Sequence, residues 1–154
     1  MTTLQKGLIL AAAHVALVLS LGAKLLVDRS TRPRVWVKTA PFDPSLPIRG
    51  RYVSLRLTVE IRGFPEGSVY APAELSVEDG QLVATQSPDS NVHVMFGNPS
   101  LAEPVAFFIP ENVPDPSRRQ PGEELWVEVT VPGRGPPRPI RLGVKKDGVL
   151  TPLE

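Results

Sequence analysis

Hydrophobic positions follow two different rules along this chain. From Gly7 to Val27 the sequence reads GLILAAAHVALVLSLGAKLLV, an apolar run with one cation near its end. A run of roughly 17 to 20 apolar residues can cross a ~30 Å hydrocarbon core as a helix, because only a helix satisfies its own backbone polar groups where water is absent. The pattern predicts a short tail over residues 1–6, a transmembrane signal anchor over 7–27 and a juxtamembrane linker over 28–33. Behind the linker the period drops to two. In Arg34 to Lys38 (RVWVK), Val35 and Val37 share one face and Trp36 takes the other. From Tyr52 to Arg62 (YVSLRLTVEIR), Val53, Leu55, Leu57, Val59 and Ile61 alternate with Ser54, Arg56, Thr58, Glu60 and Arg62, which predicts one long strand with a core face and a water face. Further strands are expected at 73–78 and 81–86 around a Glu78-Asp79-Gly80 turn, and at 91–96, 104–109 and 124–131. A closing hairpin over 139–153 turns at Asp147-Gly148. Many short strands without soluble helices predict an all-β soluble domain over 34–154, built as an antiparallel sandwich or partly open barrel behind one N-terminal transmembrane helix.

Two questions about the apolar segment stay open at this level. Small residues from Ser20 to Ala23 offer a signal-peptidase site, whereas Leu25, Leu26 and Val27 prolong the run past it and Lys24 can snorkel, which fits a retained anchor. For sidedness, Lys24, Arg29, Arg32 and Arg34 behind the segment favour a cytoplasmic domain. The very short tail before a lone span is the layout of a signal anchor with an exported domain, and the expectation adopted is an inner-membrane, single-pass protein with its domain on the periplasmic side. His14 falls within the segment, where an ionisable group is either a functional residue or a neutral one hydrogen-bonded to a partner helix.

The roughly 125 residues behind the anchor suffice for one domain with a core. Eighteen prolines and twelve glycines read as edge and turn punctuation, since Val, Leu and Ile recur between them at alternating positions. The segment 39–49 (TAPFDPSLPIR) is a stiff connector for the same reason. The absence of cysteine removes disulfides, thiolate metal sites and cysteine nucleophiles. The net charge of +1 conceals a polarity: residues 24–63 carry nine Lys or Arg against three acids, and residues 64–125 carry two against ten. The basic, membrane-proximal third suits anionic lipid head groups or an acidic partner. Nucleic acid is not an expected partner, since the domain as a whole is not basic and no recognised module surrounds Trp36 or Tyr52.

The run Gly50-Arg51-Tyr52-Val53-Ser54-Leu55-Arg56-Leu57 resembles the signature of the GDYXXLXY family, a group of bacterial membrane-anchored proteins. Phe42-Asp43-Pro44 before it, Phe107-Phe108-Ile109-Pro110-Glu111 and the terminal hairpin Ile140 to Leu153 are similar to further segments of that family. The family positions map to Gly50, Tyr52, Leu55, Pro110 and Glu111. Arg51 stands where the family name has aspartate, and Leu57 stands where it has the final tyrosine. The resemblance implies membrane anchoring and no particular chemistry.

Read from the residues alone, Gly50 relieves a bend, Tyr52 caps the sheet with its ring and Leu55 enters the core. Alternatively Arg49, Arg51, Tyr52 and Arg56 form an exposed partner-binding patch whose guanidinium forks take carboxylates. In Phe107-Phe108 one ring is expected in the core, or the other lines a peptide groove. Catalytic candidates are sparse: His93 is the one histidine outside the anchor, and no Gly-x-Ser-x-Gly elbow surrounds a serine. A Ser54–Lys38 dyad would suit an anchored peptidase but has no spacing to support it. No metal set or cofactor is expected. Pro132 to Pro139 (PGRGPPRP) is either a polyproline ligand or a stiff connector. The expected function is a membrane-anchored, non-enzymatic envelope domain that binds or assembles with another membrane protein, a multi-pass one. A small anchored hydrolase and a ligand-binding β domain are the alternatives.

Overall fold

The computed structural model describes residues 2–41, 52–116 and 118–153. They form two compact units, residues 1–32 and 33–154. The first is helix α1 (Thr3–Thr31), of which Thr3–Val27, 25 residues, is long and apolar enough to cross a membrane. At 1.5 Å per residue those 25 residues measure about 37 Å, more than the ~30 Å hydrocarbon core, which leaves room for tilt. The helix extends beyond the apolar run at both ends. Thr2 and Gln5 form a capping box, with Thr2 N–H donating to Gln5 Oε1 (2.9 Å) and Gln5 N–H to Thr2 Oγ1 (3.3 Å). Residues 28–31, predicted as linker, continue the helix, and the Ser30 and Thr31 hydroxyls fold back onto the Val27 carbonyl. His14 Nδ1 lies 2.8 Å from the Leu10 carbonyl and the Ser20 hydroxyl donates to the Leu17 carbonyl. One ring nitrogen of His14 and the Ser20 hydroxyl thus find partners within the helix itself.

The second unit contains strands β1 (Arg34–Pro41), β2 (Tyr52–Leu57), β3 (Glu60–Arg62), β4 (Tyr70–Glu78), β5 (Gln81–Gln86), β6 (His93–Met95), β7 (Ser100–Leu101), β8 (Val105–Phe108), β9 (Glu123–Thr130), β10 (Arg138–Lys146) and β11 (Val149–Pro152). Six form a sheet in the order β11-β10-β9-β1-β2-β8, and five form a second in the order β3-β5-β4-β6-β7. One core cluster draws on both: Val35, Val37, Leu55, Leu57, Val127 and Leu142 from the first, and Leu75, Leu82, Val94 and Leu101 from the second. Leu55 and Leu57 are fully buried, each contributing on the order of 2 kcal/mol of transfer free energy. The β4–β5 and β10–β11 hairpins turn at Asp79-Gly80 and Asp147-Gly148, where all four residues have positive φ (50° and 74°, 50° and 83°). This is the backbone that joins right-twisted strands through two residues, and Asp-Gly supplies it at low cost.

The strand expected over Tyr52–Arg62 is two strands, because its neighbours change halfway. β2 pairs with β1 and β8 in the six-stranded sheet, whereas β3 pairs with β5 in the other. At the crossing Thr58 donates its N–H to the Lys38 carbonyl (3.1 Å), bridges Ser100, and is followed by Val59 N–H donating to the Pro99 carbonyl (3.1 Å). The alternation of buried Leu57 and Val59 continues through the crossing, which is why periodicity gave no warning of it. β3 also lies parallel to β5, against the antiparallel pairing expected throughout. Ser54, predicted to face water, is buried (6% exposed). β8 and β10, far apart in the sheet order, approach within 8 Å, so the larger sheet curls.

Candidate functional site

The distinctive surface of the second unit is the outer face of its six-stranded sheet. Directly opposed residues of an antiparallel pair project from the same side, so the register assigns this face residue by residue. On β1 it carries Arg34, Trp36, Lys38 and Ala40. On β9, Trp36 stands opposite Glu128 and Lys38 opposite Trp126. On β10, Arg138 stands opposite Thr130, Arg141 opposite Glu128, Gly143 opposite Trp126 and Lys145 opposite Glu124. On β2, Arg56 stands opposite Ala40, and Tyr52 shares its parity. Tyr52 in turn stands opposite Phe108 on β8. Both tryptophans of the chain therefore lie on the same solvent face, with Val35, Val37, Val127 and Val129 facing the core behind them.

The indoles are held in place by their neighbours. A side chain at Gly143 would put its Cβ 2.8 Å from Trp36 Cζ3, so the glycine leaves a notch across which the ring lies. The Arg141 guanidinium sits over the same ring, 5.4 Å from its centroid, and donates Nε–H to Glu128 Oε2 at 2.7 Å. The Lys145 ammonium sits 4.6 Å from the Trp126 ring centroid. Trp126 Nε1–H donates to Glu124 Oε2 at 3.2 Å, and Lys38 Nζ donates to the other oxygen of that carboxylate. The Lys38 hydrogen bond, followed by that of Trp126, lowers the Glu124 pKa below its ordinary value. Such contacts on an exposed face contribute little stability individually, but together they fix rings and cations in one arrangement.

Arg138 and Arg141 share this face only because the strand between them is irregular. Residues three apart on a regular strand point to opposite sides. A register shift between Pro139 and Arg141 inserts one extra residue and brings both guanidinium-bearing positions to the tryptophan side.

Of the residues singled out from sequence, Arg49, Gly50 and Arg51 lie outside the described residues. Tyr52 and Phe108 meet as tilted rings with centroids 6.1 Å apart, at the β8 end of the same outer face. Phe108 is 69% exposed while Phe107 packs on the core, as the division of that pair predicts. Leu55 is fully buried. The Pro110 carbonyl accepts the Val113 N–H (3.2 Å), and Glu111 is an exposed turn residue just beyond β8. Arg56 falls on the tryptophan face, half-buried. Ser54 and Lys38 are not brought together: Lys38 stands opposite Thr58, four residues or about 13 Å along the strand from Ser54, and its ammonium is engaged by Glu124. His93 stacks on Tyr70 (4.7 Å between centroids, 11° between planes) on the outer side of β6. Of the expected connector Pro132 to Pro139, residues 132–137 lie between β9 and β10, whereas Arg138 and Pro139 begin β10 and pair with Thr130 and Val129. Among the described residues no group of three or more His, Asp or Glu side chains is placed to hold a metal.

On the second sheet, Arg62 forks between Glu60 and Glu78, and its hydrogen bond to Glu60 raises the guanidinium pKa further. Between β4 and the loops after β5 and β9 lies a cleft of about 560 Å³ lined by Glu74, Asp89, Asn91 and Arg134 among others. Its charges are exposed ones on three separate segments. No family model, curated protein or solved structure matches the chain.

Proposed function

We propose that this chain is a membrane-anchored, non-enzymatic binding domain. Its apolar helix is the tether, and the outer face of the six-stranded sheet docks on a protein embedded in the same membrane. The observation that carries the reading is the placement of Trp36 and Trp126, with Arg141 over the first ring and Lys145 over the second, on the solvent side of the sheet. Trp and Arg are the residues that dominate protein–protein hot spots, and here they lie on the water side of the sheet and not in its core. In this reading the chain is a member of the GDYXXLXY group, sits in the inner membrane with its domain on the periplasmic side, and takes a multi-pass protein as partner. The two sheets then enclose their shared core as a sandwich with one partly closed wall, a reading supported by the strand that passes from one sheet to the other at Thr58. The hydrolase alternative loses support from the buried Ser54 and the engaged Lys38.

Purification of the full-length chain from native membranes in mild detergent tests this function. Stoichiometric recovery of a second membrane protein is expected, with loss of that protein from chains lacking residues 1–27 and from the Trp126→Ala variant. Recovery of a lone, monodisperse chain would refute the proposal.

A further inference from the structure

Resting on that reading, we infer that the partner presents an acidic polypeptide surface to the tryptophan face, and that the β10 bulge is the device that assembles the cations to meet it. Four cationic residues project from the β1, β9 and β10 part of this face: Lys38, Arg138, Arg141 and Lys145. The described acids on it are Glu124 and Glu128, hydrogen-bonded within the face to Lys38 and Trp126 and to Arg141 respectively. The positive excess is therefore built into one side of the domain of a chain whose net charge is only +1. Without the register shift after Pro139, Arg138 would leave the face and the excess would shrink.

Two features make this a recognition surface rather than a diffuse basic patch. Arg141 and Lys145 rest on indole rings that are themselves seated, Trp36 in the Gly143 notch and Trp126 by its bond to Glu124. Cations held on rigid bases lose less side-chain freedom on binding than cations on free stems. The cations are also interleaved with Glu124 and Glu128 across β9. That alternation suits discrete carboxylates placed opposite individual cations, whereas a uniformly anionic lipid plane would also lie against both glutamates. An acidic polypeptide is accordingly the occupant the charge pattern favours, through charge-assisted hydrogen bonds to the guanidinium groups.

Because both tryptophans lie in this face, their emission reports on it directly. The test uses the full-length chain in nanodiscs of neutral phosphatidylcholine, titrated with poly-L-glutamate or with phosphatidylglycerol vesicles. Poly-L-glutamate should shift the tryptophan emission at low ionic strength and lose affinity steadily as salt is added. The double variant Arg138→Gln/Lys145→Gln should bind about tenfold more weakly. The charge-matched control Arg118→Gln/Arg134→Gln, altered at exposed loop positions outside the strands of the face, should bind within about twofold of the parent. Equal losses in the two variants, a response to the vesicles exceeding that to poly-L-glutamate, or concentration-dependent self-association that accounts for the emission change would each overturn the inference. If a membrane protein co-purifies and is lost in Trp126→Ala while poly-L-glutamate leaves the emission unmoved, the docking function stands and the acidic-partner inference fails.

Discussion

Gly143→Ala puts the architecture of the tryptophan face to a quantitative test. The new methyl carbon would lie 2.8 Å from Trp36 Cζ3, 3.0 Å from Cη2 and 3.2 Å from the Thr151 carbonyl oxygen. The strand cannot retreat, because Gly143 is paired on both sides, with Trp126 and with Pro152. Trp36 must therefore lift from the sheet. Re-exposing roughly 40 to 80 Å² of ring costs about 1 to 2 kcal/mol, and losing the Arg141 contact costs about 0.5 to 1 kcal/mol more. Replacing glycine by alanine within a strand returns roughly 0.5 to 1 kcal/mol. The net expectation is a loss of about 1 to 2 kcal/mol, equivalent to roughly 4 to 8 °C in Tm for a domain of this size. Thermal unfolding of the full-length chain in mild detergent, followed by near-ultraviolet circular dichroism, measures it. The decisive comparison is the same substitution in a Trp36→Ala background, where the ring clash is gone and only the 3.2 Å approach to the Thr151 carbonyl oxygen remains, so Gly143→Ala should cost about 1 kcal/mol less than in the parent. An equal cost in both backgrounds would show that the ring does not occupy the notch.

Three further outcomes follow from the packing and electrostatics. Leu55→Ala, at a fully buried position between the two sheets, should cost about 3 kcal/mol in the same unfolding assay, whereas Phe108→Ala at the exposed partner of Tyr52 should cost less than about 1 kcal/mol. Glu124, whose folded pKa lies below its ordinary value of 4.5, contributes stability that is present above that value and lost as the pH falls through the folded one. The stability difference between the parent and Glu124→Gln should accordingly be constant near neutrality and disappear in acid, and a difference that persists in acid would contradict the Lys38–Glu124 bond. Gly148→Ala, at φ 83° in the β10–β11 turn, should cost about 1 to 2 kcal/mol, since a side chain is strained in the left-handed region.

The hairpins were legible in the sequence because their signals are local. Asp79-Gly80 and Asp147-Gly148 stand between alternating runs, and a two-residue turn fixes the register of the strands it joins. The apolar helix was legible for the same reason, and the Thr-x-x-Gln spacing of Thr2 and Gln5 is the local signal for the capping box that starts it. The division of Tyr52–Arg62 was not legible, since a strand that changes partners keeps its inward parity and only the hydrogen-bond partners change. β7 was not legible because two residues between Pro99 and Pro104 carry no period at all. The tryptophan face was hidden for a different reason. Trp36 and Trp126 share a face through the β1–β9 register, a pairing across most of the chain, and the Arg138–Arg141 spacing argues against a shared face unless the bulge is known. The outward parity of Trp36 in RVWVK was readable, and a tryptophan on the water side of a predicted strand was the one local signal that pointed to this surface.

Photo-crosslinking in intact membranes tests most directly whether this face is the docking surface. A photoreactive residue at exposed Ala40, on the tryptophan side of β1, is compared with one at exposed Thr85, on the outer side of β5 in the other sheet. A discrete adduct with a second membrane protein from Ala40 and none from Thr85 is the predicted result. No adduct from Ala40, or adducts of equal yield from both positions, would contradict it.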